Sequence, residues 1–462
     1  MSASRQFQSL TAGATNGRIR PVAGIQRFMN VVTLPKCNEL ARIELTTGWG
    51  HMSGILDAAV IGAGYAGLGV SYFLQRHGVT HEVLERSRIG ETWRTQRWDS
   101  FQLNTPNARS MLPGDSYDGS DPWGAFTQHE FVAYLEDYAK RNRLPVSTDT
   151  PVKELTRENG AYRLTTARGT FRARNLIIAI GDLNCPVRPP WSANLPSALR
   201  QIDCSAYRNA AELDDGGVLV VGSGQSGVQI AEDLAWAGRS VFLATSRTGR
   251  LVRRYRGGDT FNWLTISGFL DVRRKEVMLP SGKVPPRAVL GATHTISLQS
   301  LSAQGVVLLG RFRGVENGHL MFGDELDEHL RFADEASANV KRFLDQYIER
   351  TGLDAPVAED DPAETVEPRR PSPPIRSIDW AASNITSVIW CTGFVGDFRW
   401  IQLPGVLDEA GQPIHEDGLG VLPGLYFAGL DFGSTRKSGT IPAIADEAAR
   451  LVDHLIKRRV DL

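Results

Sequence analysis

Ile55-Leu56-Asp57-Ala58-Ala59-Val60-Ile61-Gly62-Ala63-Gly64-Tyr65-Ala66-Gly67 is the stretch that decides the fold. Its first seven residues form a short apolar run, the pattern of a strand buried on both faces. The glycines come next, at GxGxxG spacing. Ala66 to Gly78 then has helical periodicity through Leu68, Tyr72 and Leu74, with Gly78 as a stop. His81-Glu82-Val83-Leu84-Glu85 is the next strand. About 160 residues later the pattern recurs as Gly222-Ser223-Gly224-Gln225-Ser226-Gly227. It lies between a strand at Val218–Val221 and a helix from Gln225 to Ala237, ended by Gly238. Ser240 to Thr245 is then a strand. One such turn is a weak signal. Two, each in a strand–turn–helix setting, predict two dinucleotides on one chain and electron transfer between them.

The strand after each turn distinguishes the two. In the first, Gly62 permits the tight turn, Gly64 lets backbone approach a pyrophosphate, and Gly67 lets the helix pack on the sheet. The helix start at Ala66 offers free N–H groups and the positive dipole end. Glu85 ends the second strand 18 residues past Gly67, with Arg86 beside it. A carboxylate there accepts from ribose hydroxyls and repels a 2′-phosphate, so this site selects FAD or NAD over NADP. In the second, Gly222, Gly224 and Gly227 repeat the geometry, with Gln225 and Ser226 at the helix start. The next strand ends in Thr245-Ser246-Arg247, without a carboxylate. Ser246 and Arg247 suit a 2′-phosphate, which makes the second ligand NADPH. Arg250, Arg253 and Arg254 come after; they read either as part of this site or as a solvated basic loop.

The rest of the 462-residue chain sets bounds. Net charge is −1, which gives no electrostatic preference for nucleic acid or anionic membrane. No apolar run has the length of a bilayer span. Cys37, Cys185, Cys204 and Cys391 form no CxxC pair. Their scatter argues against a dithiol relay and against a metal site, and fits the reducing cytoplasm. Residues 1–51 have no acidic residue before Glu39 and read as a disordered extension, with an organellar leader or an upstream start codon as other readings. Tyr162–Thr166 and Thr170–Arg174 form a hairpin around Arg168-Gly169, and Leu176 to Gly181 returns as a separate apolar strand. Residues 355–377 are acidic and Pro-rich and read as a surface loop. Ser387 to Gly393 is another buried strand. The fold expected is α/β with two Rossmann-type domains. An NADPH domain (190–370) is inserted into an FAD domain (52–189 and 371–455). The amphipathic stretch 325–350 either covers its own core or packs on a second copy in a homodimer.

Further segments carry a family resemblance from residue 55 to about 455. Gly90-Glu91-Thr92-Trp93 resembles a GGTW element beside a flavin, with Glu91 a departure. Asp99-Ser100-Phe101-Gln102-Leu103-Asn104-Thr105-Pro106 resembles the segment that crosses the isoalloxazine. Cys391-Thr392-Gly393-Phe394 resembles an ATGY linker. Pro423 to Asp431 resembles the late strand–turn that closes over FAD, which puts Asp431 against flavin or ribityl chain. The chain thus resembles the class B flavin monooxygenases, and within them the bacterial oxidoreductases related to flavin-containing monooxygenases and to plant YUCCA-type enzymes.

The resemblance implies an FAD-dependent, NADPH-reduced monooxygenase. It would pass one O2 oxygen to a small organic substrate by N-, S- or carbonyl oxygenation through a C4a-hydroperoxyflavin. Asn104 is the candidate catalytic residue near C4a and the nicotinamide; the other reading is a cap for the turn before Pro106. Trp93 stacks near the flavin or fills core. One motif departs: Leu199 and Asp203 stand where the family has glycine and histidine, while Tyr207 fits. This counts most against ketone oxidation. An NADPH:acceptor oxidoreductase without oxygen insertion and a non-catalytic nucleotide-binding redox sensor are the competing readings.

Overall fold

Burial on both faces makes Leu56–Ile61 the centre of the first sheet, with all six residues buried. It lies between His81–Leu84 and Gly169–Ile178, parallel to both. The sheet extends on one side to Val146–Ser147 and on the other to Leu425–Phe427, which returns from near the end of the chain. The computed structural model describes residues 54–460, so the reading of residues 1–51 lies outside the described residues. The helices Tyr65–Arg76 and Ile444–Val460 pack on each other against this sheet.

The hairpin expected at 162–174 is larger than its sequence suggests. Gly169–Ile178 is one ten-residue strand, not a short strand and a separate one after it. Its first half pairs antiparallel with Ala161–Thr166, and its second half pairs parallel with Leu56–Ile61. Asn175, which falls between the two expected strands, stays in the one strand with its side-chain amide donating to the Asp57 carbonyl at 2.8 Å.

Five parallel strands form the second sheet, in the order Val307–Leu309, Val241–Ala244, Gly217–Val221, Ile385–Trp390, Arg200–Asp203. The boundary placed at 370 is therefore corrected. Ile385–Trp390 belongs to the second sheet, and the chain leaves it only after Trp390. That run is buried along most of its length and needs a parallel neighbour on each side; Gly217–Val221 and Arg200–Asp203 supply them. Ser377–Asp379 likewise joins an antiparallel sheet with Phe312–Glu316 and His319–Phe322. The long amphipathic segment is the helix Leu326–Thr351, ended by Gly352 in the left-handed region. Its Val340, Phe343 and Leu344 pack with Leu251, Tyr255 and Phe261 of the same chain.

Candidate active site at the two glycine turns

The glycines divide into those required by backbone packing and those that leave space. Gly62 has φ +103°, and a Cβ there would sit 2.7 Å from the Ala179 carbonyl oxygen. A Cβ at Gly67 would sit 1.8 Å from the Gly62 carbonyl oxygen, and one at Gly227 would sit 1.8 Å from that of Gly222. These positions admit only glycine. A Cβ at Gly64 or Gly224 would meet nothing within 4 Å. Each turn thus has an open front before a helix whose cap position supplies no side-chain acceptor. Unsatisfied N–H groups facing open space suit a pyrophosphate.

Glu85 is buried at the end of the second strand. Its carboxylate accepts the Ala63 N–H at 2.8 Å and the Ser87 N–H at 2.9 Å, so it is held against the turn with lone pairs to spare for ribose hydroxyls. Arg86 is exposed beside it, and Ala66 is buried at the helix start. Gly90 is left-handed and donates its N–H to the Ala63 carbonyl at 3.1 Å, which docks the Glu91–Thr95 helix on the turn. Thr92 is half-buried there. The Trp93 ring packs on Phe131 at 5.1 Å and on Phe101 at 6.0 Å between centroids, with Arg97 over it at 4.9 Å. Gly181 and Gly393 both have positive φ and open space in front of them. The exposed Thr392 donates its hydroxyl to the Val187 carbonyl.

The late strand–turn closes on the first turn. A Cβ at Gly429 would lie 2.6 Å from the Ala66 Cβ. Asp431 donates its N–H to Asp182 at 2.8 Å, and its carboxylate pairs with Arg287. Sequence reasoning missed Asp182, Arg287 and Glu447, because only tertiary packing brings them here. Glu447 accepts the Gly429 N–H at 2.8 Å, while its second oxygen is buried without a partner among the described residues. Burial pushes the Glu447 carboxyl up to about 7 and the Asp182 carboxyl up to about 6.

A raised carboxyl pKa means that the native state binds the proton more tightly than the unfolded chain. The contribution is present below the unfolded value near 4.5 and is lost as pH rises to about 7. Glu447→Gln keeps an acceptor for Gly429 without the ionisation. We expect it to remove a loss of up to ~3 kcal/mol across this window. Urea unfolding at about pH 5 and about pH 8 reads this; equal pH slopes in wild type and variant would refute it.

At the second turn, Ser246 donates its N–H to the Ser223 hydroxyl at 2.9 Å, and its hydroxyl accepts the Ser223 N–H at 3.3 Å. Arg247 pairs with Glu328 at 3.4 Å and lies 4.1 Å over the Phe332 ring. The solvated-loop reading fails for two of the other arginines. Arg250 is buried and pairs with Asp334 and Glu364. Arg253 is 1% exposed and pairs with Asp259. It also donates to the backbone carbonyls of Asn104, at 2.8 Å, and Gly291, at 2.9 Å. Desolvation lowers the Arg253 pKa, and Asp259 opposes that shift.

Asn104 lies where the lobes meet. Its side-chain oxygen accepts from Gln229 at 2.9 Å and from Gln225 at 3.4 Å, both on the second dinucleotide helix. Gln225 in turn accepts the Leu290 N–H at 3.0 Å. With its oxygen so engaged, the Asn104 Nδ2 donor takes no protein acceptor among the described residues. The side chain is thus a clasp between lobes, not a turn cap. Gln229 carried no sequence signal; it is one helical turn past Gln225. Asp203 forms a bidentate pair with Arg188 at 2.6 and 2.9 Å, and Tyr207 donates to Asp233 at 2.6 Å.

The separation read for the cysteines is corrected for one pair: Cys204 and Cys391 meet at the ends of neighbouring strands. Among the described residues no cluster of His, Cys, Asp and Glu could hold a metal ion. No described helix is long and apolar enough to cross a membrane.

Two nucleotide turns on a two-lobed α/β frame, with an amide clasped between them, define a two-dinucleotide oxidoreductase of flavin-monooxygenase-like architecture. Residues 59–256 match the pyridine nucleotide-disulphide oxidoreductase family. An oxidoreductase of the CzcO-like type from Geobacillus kaustophilus is 31% identical over 407 residues, covering 88% of this chain and 99% of that protein. Indole-3-pyruvate monooxygenase YUCCA8 of Oryza sativa is 26% identical over 317 residues, or 63% of this chain and 73% of that one. A flavin-containing monooxygenase from Stenotrophomonas maltophilia shares the fold. Its TM-score is 0.60 at 18% identity, over 87% of this chain and 98% of that chain. The chain belongs to the CzcO-like family of oxidoreductases, and the expected class B flavin-monooxygenase-like fold holds.

Proposed function

We propose that this protein is an FAD-dependent, NADPH-reduced monooxygenase acting in the cytoplasm on a small organic substrate and O2. The observation that carries the reading is the Asn104 clasp, which joins a segment of the first lobe to the start of the second dinucleotide helix. Gly62, Gly64, Gly67 and Glu85 would hold FAD, with Gly181, Thr392, Gly393 and Asp431 at its margin. Gly222, Gly224, Gly227, Ser246 and Arg247 would hold NADPH. When bound, the flavin supplies hydride acceptance and O2 activation. The chain positions both cofactors and keeps water out. Asn104 offers a neutral Nδ2 donor, which holds an oxygen-bearing group without the acidic proton that speeds peroxide loss.

Turnover of NADPH against a panel of amines, sulfides and ketones, with hydrogen peroxide measured alongside, tests the reading. Oxygenated product matching NADPH consumed is the expected result; NADPH consumption yielding only peroxide would defeat it. That second outcome belongs to an NADPH:acceptor oxidoreductase. One observation favours that alternative: Asp203, at the motif's histidine position, is committed to Arg188 and supplies no imidazole.

Arg247→Ala tests the assignment of the second nucleotide. The pair with Glu328 is partly exposed and weak, so Arg247 can exchange it for a phosphate. Removing a charge-assisted contact of ~2 kcal/mol should cut the preference for NADPH over NADH roughly 30-fold. The ratio of the two dissociation constants is the readout, and an unchanged ratio would move the 2′-phosphate elsewhere.

A further inference from the structure

Cys204 and Cys391 are the next rung beyond a paired ladder. Asp203 lies opposite Trp390 in the parallel pairing, and the Cys204 N–H donates to the Trp390 carbonyl at 3.0 Å. Neighbouring strands run about 4.8 Å apart, and disulfides join Cα atoms roughly 4.4–6.8 Å apart. A bond between these side chains therefore needs little backbone movement. The two thiols lie close enough for each to shift the other's ionisation. Cys204 is 3% exposed, and Cys391 is half-buried in front of it.

The surroundings move the Cys204 thiol toward ionisation. Ser226, in the first turn of the helix Gln225–Trp236, also favours the ionised form of this thiol. The Arg97 guanidinium acts on it from the other lobe. Arg97 lies over the Trp93 and Phe101 rings and pairs with no carboxylate among the described residues. Cys391, Arg97 and Ser226 together hold the Cys204 thiol below its usual range, while Cys204 and burial push Cys391 up. The pair also lies directly under the second turn: a Cβ at Gly227 would sit 3.4 Å from the Cys391 Cβ, and one at Gly222 would sit 2.5 Å from the Cys391 carbonyl oxygen.

We propose that Cys204 and Cys391 form a peroxide-oxidisable dithiol site that closes reversibly into a disulfide beneath the second dinucleotide turn. Cys204 is the nucleophile and Cys391 the resolving thiol. The Cys204 thiolate attacks one oxygen of hydrogen peroxide, the O–O bond breaks, and hydroxide leaves. The sulfur, oxidised by two electrons, is then a sulfenic acid. Cys391 sulfur attacks it, the S–O bond breaks, and the Cys391 proton leaves with the hydroxyl as water. Two thiols and one peroxide give one disulfide and two waters. An external dithiol reverses the step. This chemistry stands whether or not the protein inserts oxygen into a substrate.

The test treats the full-length protein with stoichiometric hydrogen peroxide, blocks remaining thiols with N-ethylmaleimide, digests without reductant and identifies peptides by mass. A peptide pair joined through Cys204 and Cys391, released by dithiothreitol, is expected. The two thiols should disappear roughly tenfold faster than that of the exposed Cys185. Cys391→Ser should stop at a dimedone-trappable sulfenic acid on Cys204, and Cys204→Ser should leave Cys391 as a thiol. Cys204 and Cys391 both alkylated in peroxide-treated wild type, or Cys185 oxidised first, would overturn the proposal.

Discussion

A methyl group at Gly224 should empty the second dinucleotide site without disturbing the fold. The backbone there, with φ −74° and ψ −172°, suits alanine, and the added Cβ meets nothing within 4 Å. Stability should change by less than about 0.5 kcal/mol. The space the methyl fills is the space a pyrophosphate needs. Overpacking of ~2 kcal/mol would weaken NADPH binding roughly 30-fold. Flavin content per chain should be unchanged. Gly64→Ala is the mirror image, losing flavin while the second turn stays intact. Gly227→Ala behaves differently, because its Cβ would sit 1.8 Å from the Gly222 carbonyl oxygen and the fold itself would yield. Thermal melts, flavin absorbance and nucleotide titration separate the three. A Gly224→Ala protein that binds NADPH like wild type would show that the second turn holds no dinucleotide.

Replacing Asn104 should divert the reaction toward peroxide. Loss of one positioned donor typically costs on the order of 100-fold in rate, so Asn104→Ala should form product about that much more slowly, with more hydrogen peroxide per NADPH. It also removes the acceptor for Gln229, whose own side-chain oxygen is already buried without a partner among the described residues. A stability loss of ~1–2 kcal/mol should accompany this. Asn104→Asp separates the two effects, since it keeps an acceptor for Gln229 but has no Nδ2 donor. Its stability should stay near wild type while product formation falls. Full product yield from Asn104→Asp would reduce Asn104 to a clasp between lobes.

The parts of this molecule legible in its sequence are those where one residue type alone satisfies a local constraint. Gly62, Gly67, Gly222 and Gly227 are forced by carbonyls that leave no room for a Cβ. Glu85 is readable because a strand-end carboxylate sits at a fixed distance from its turn. The features hidden from the sequence depend on partners far along the chain. Asn175 falls between two strands read separately from the sequence, yet its bond to the Asp57 carbonyl holds it within one. Ile385–Trp390 reads as a buried strand of either sheet; only pairing with Gly217–Val221 and Arg200–Asp203 assigns it. Arg253 looks solvated beside its basic neighbours, but Asp259 six residues later neutralises it in the interior. Cys204 and Cys391 share no motif, and strand register alone sets them side by side. At the site, the turns were visible and the residues that close around them were not: Gln229, Asp182, Arg287 and Glu447 lie on four separate segments.

Hydride transfer from NADPH in the second site to flavin in the first is the event on which the proposed function turns. Anaerobic rapid mixing of the flavin-loaded protein with NADPH measures it directly. The flavin's visible absorption should bleach within seconds, and much more slowly with NADH. Flavin that stays oxidised under NADPH, or bleaches equally with both nucleotides, would contradict it.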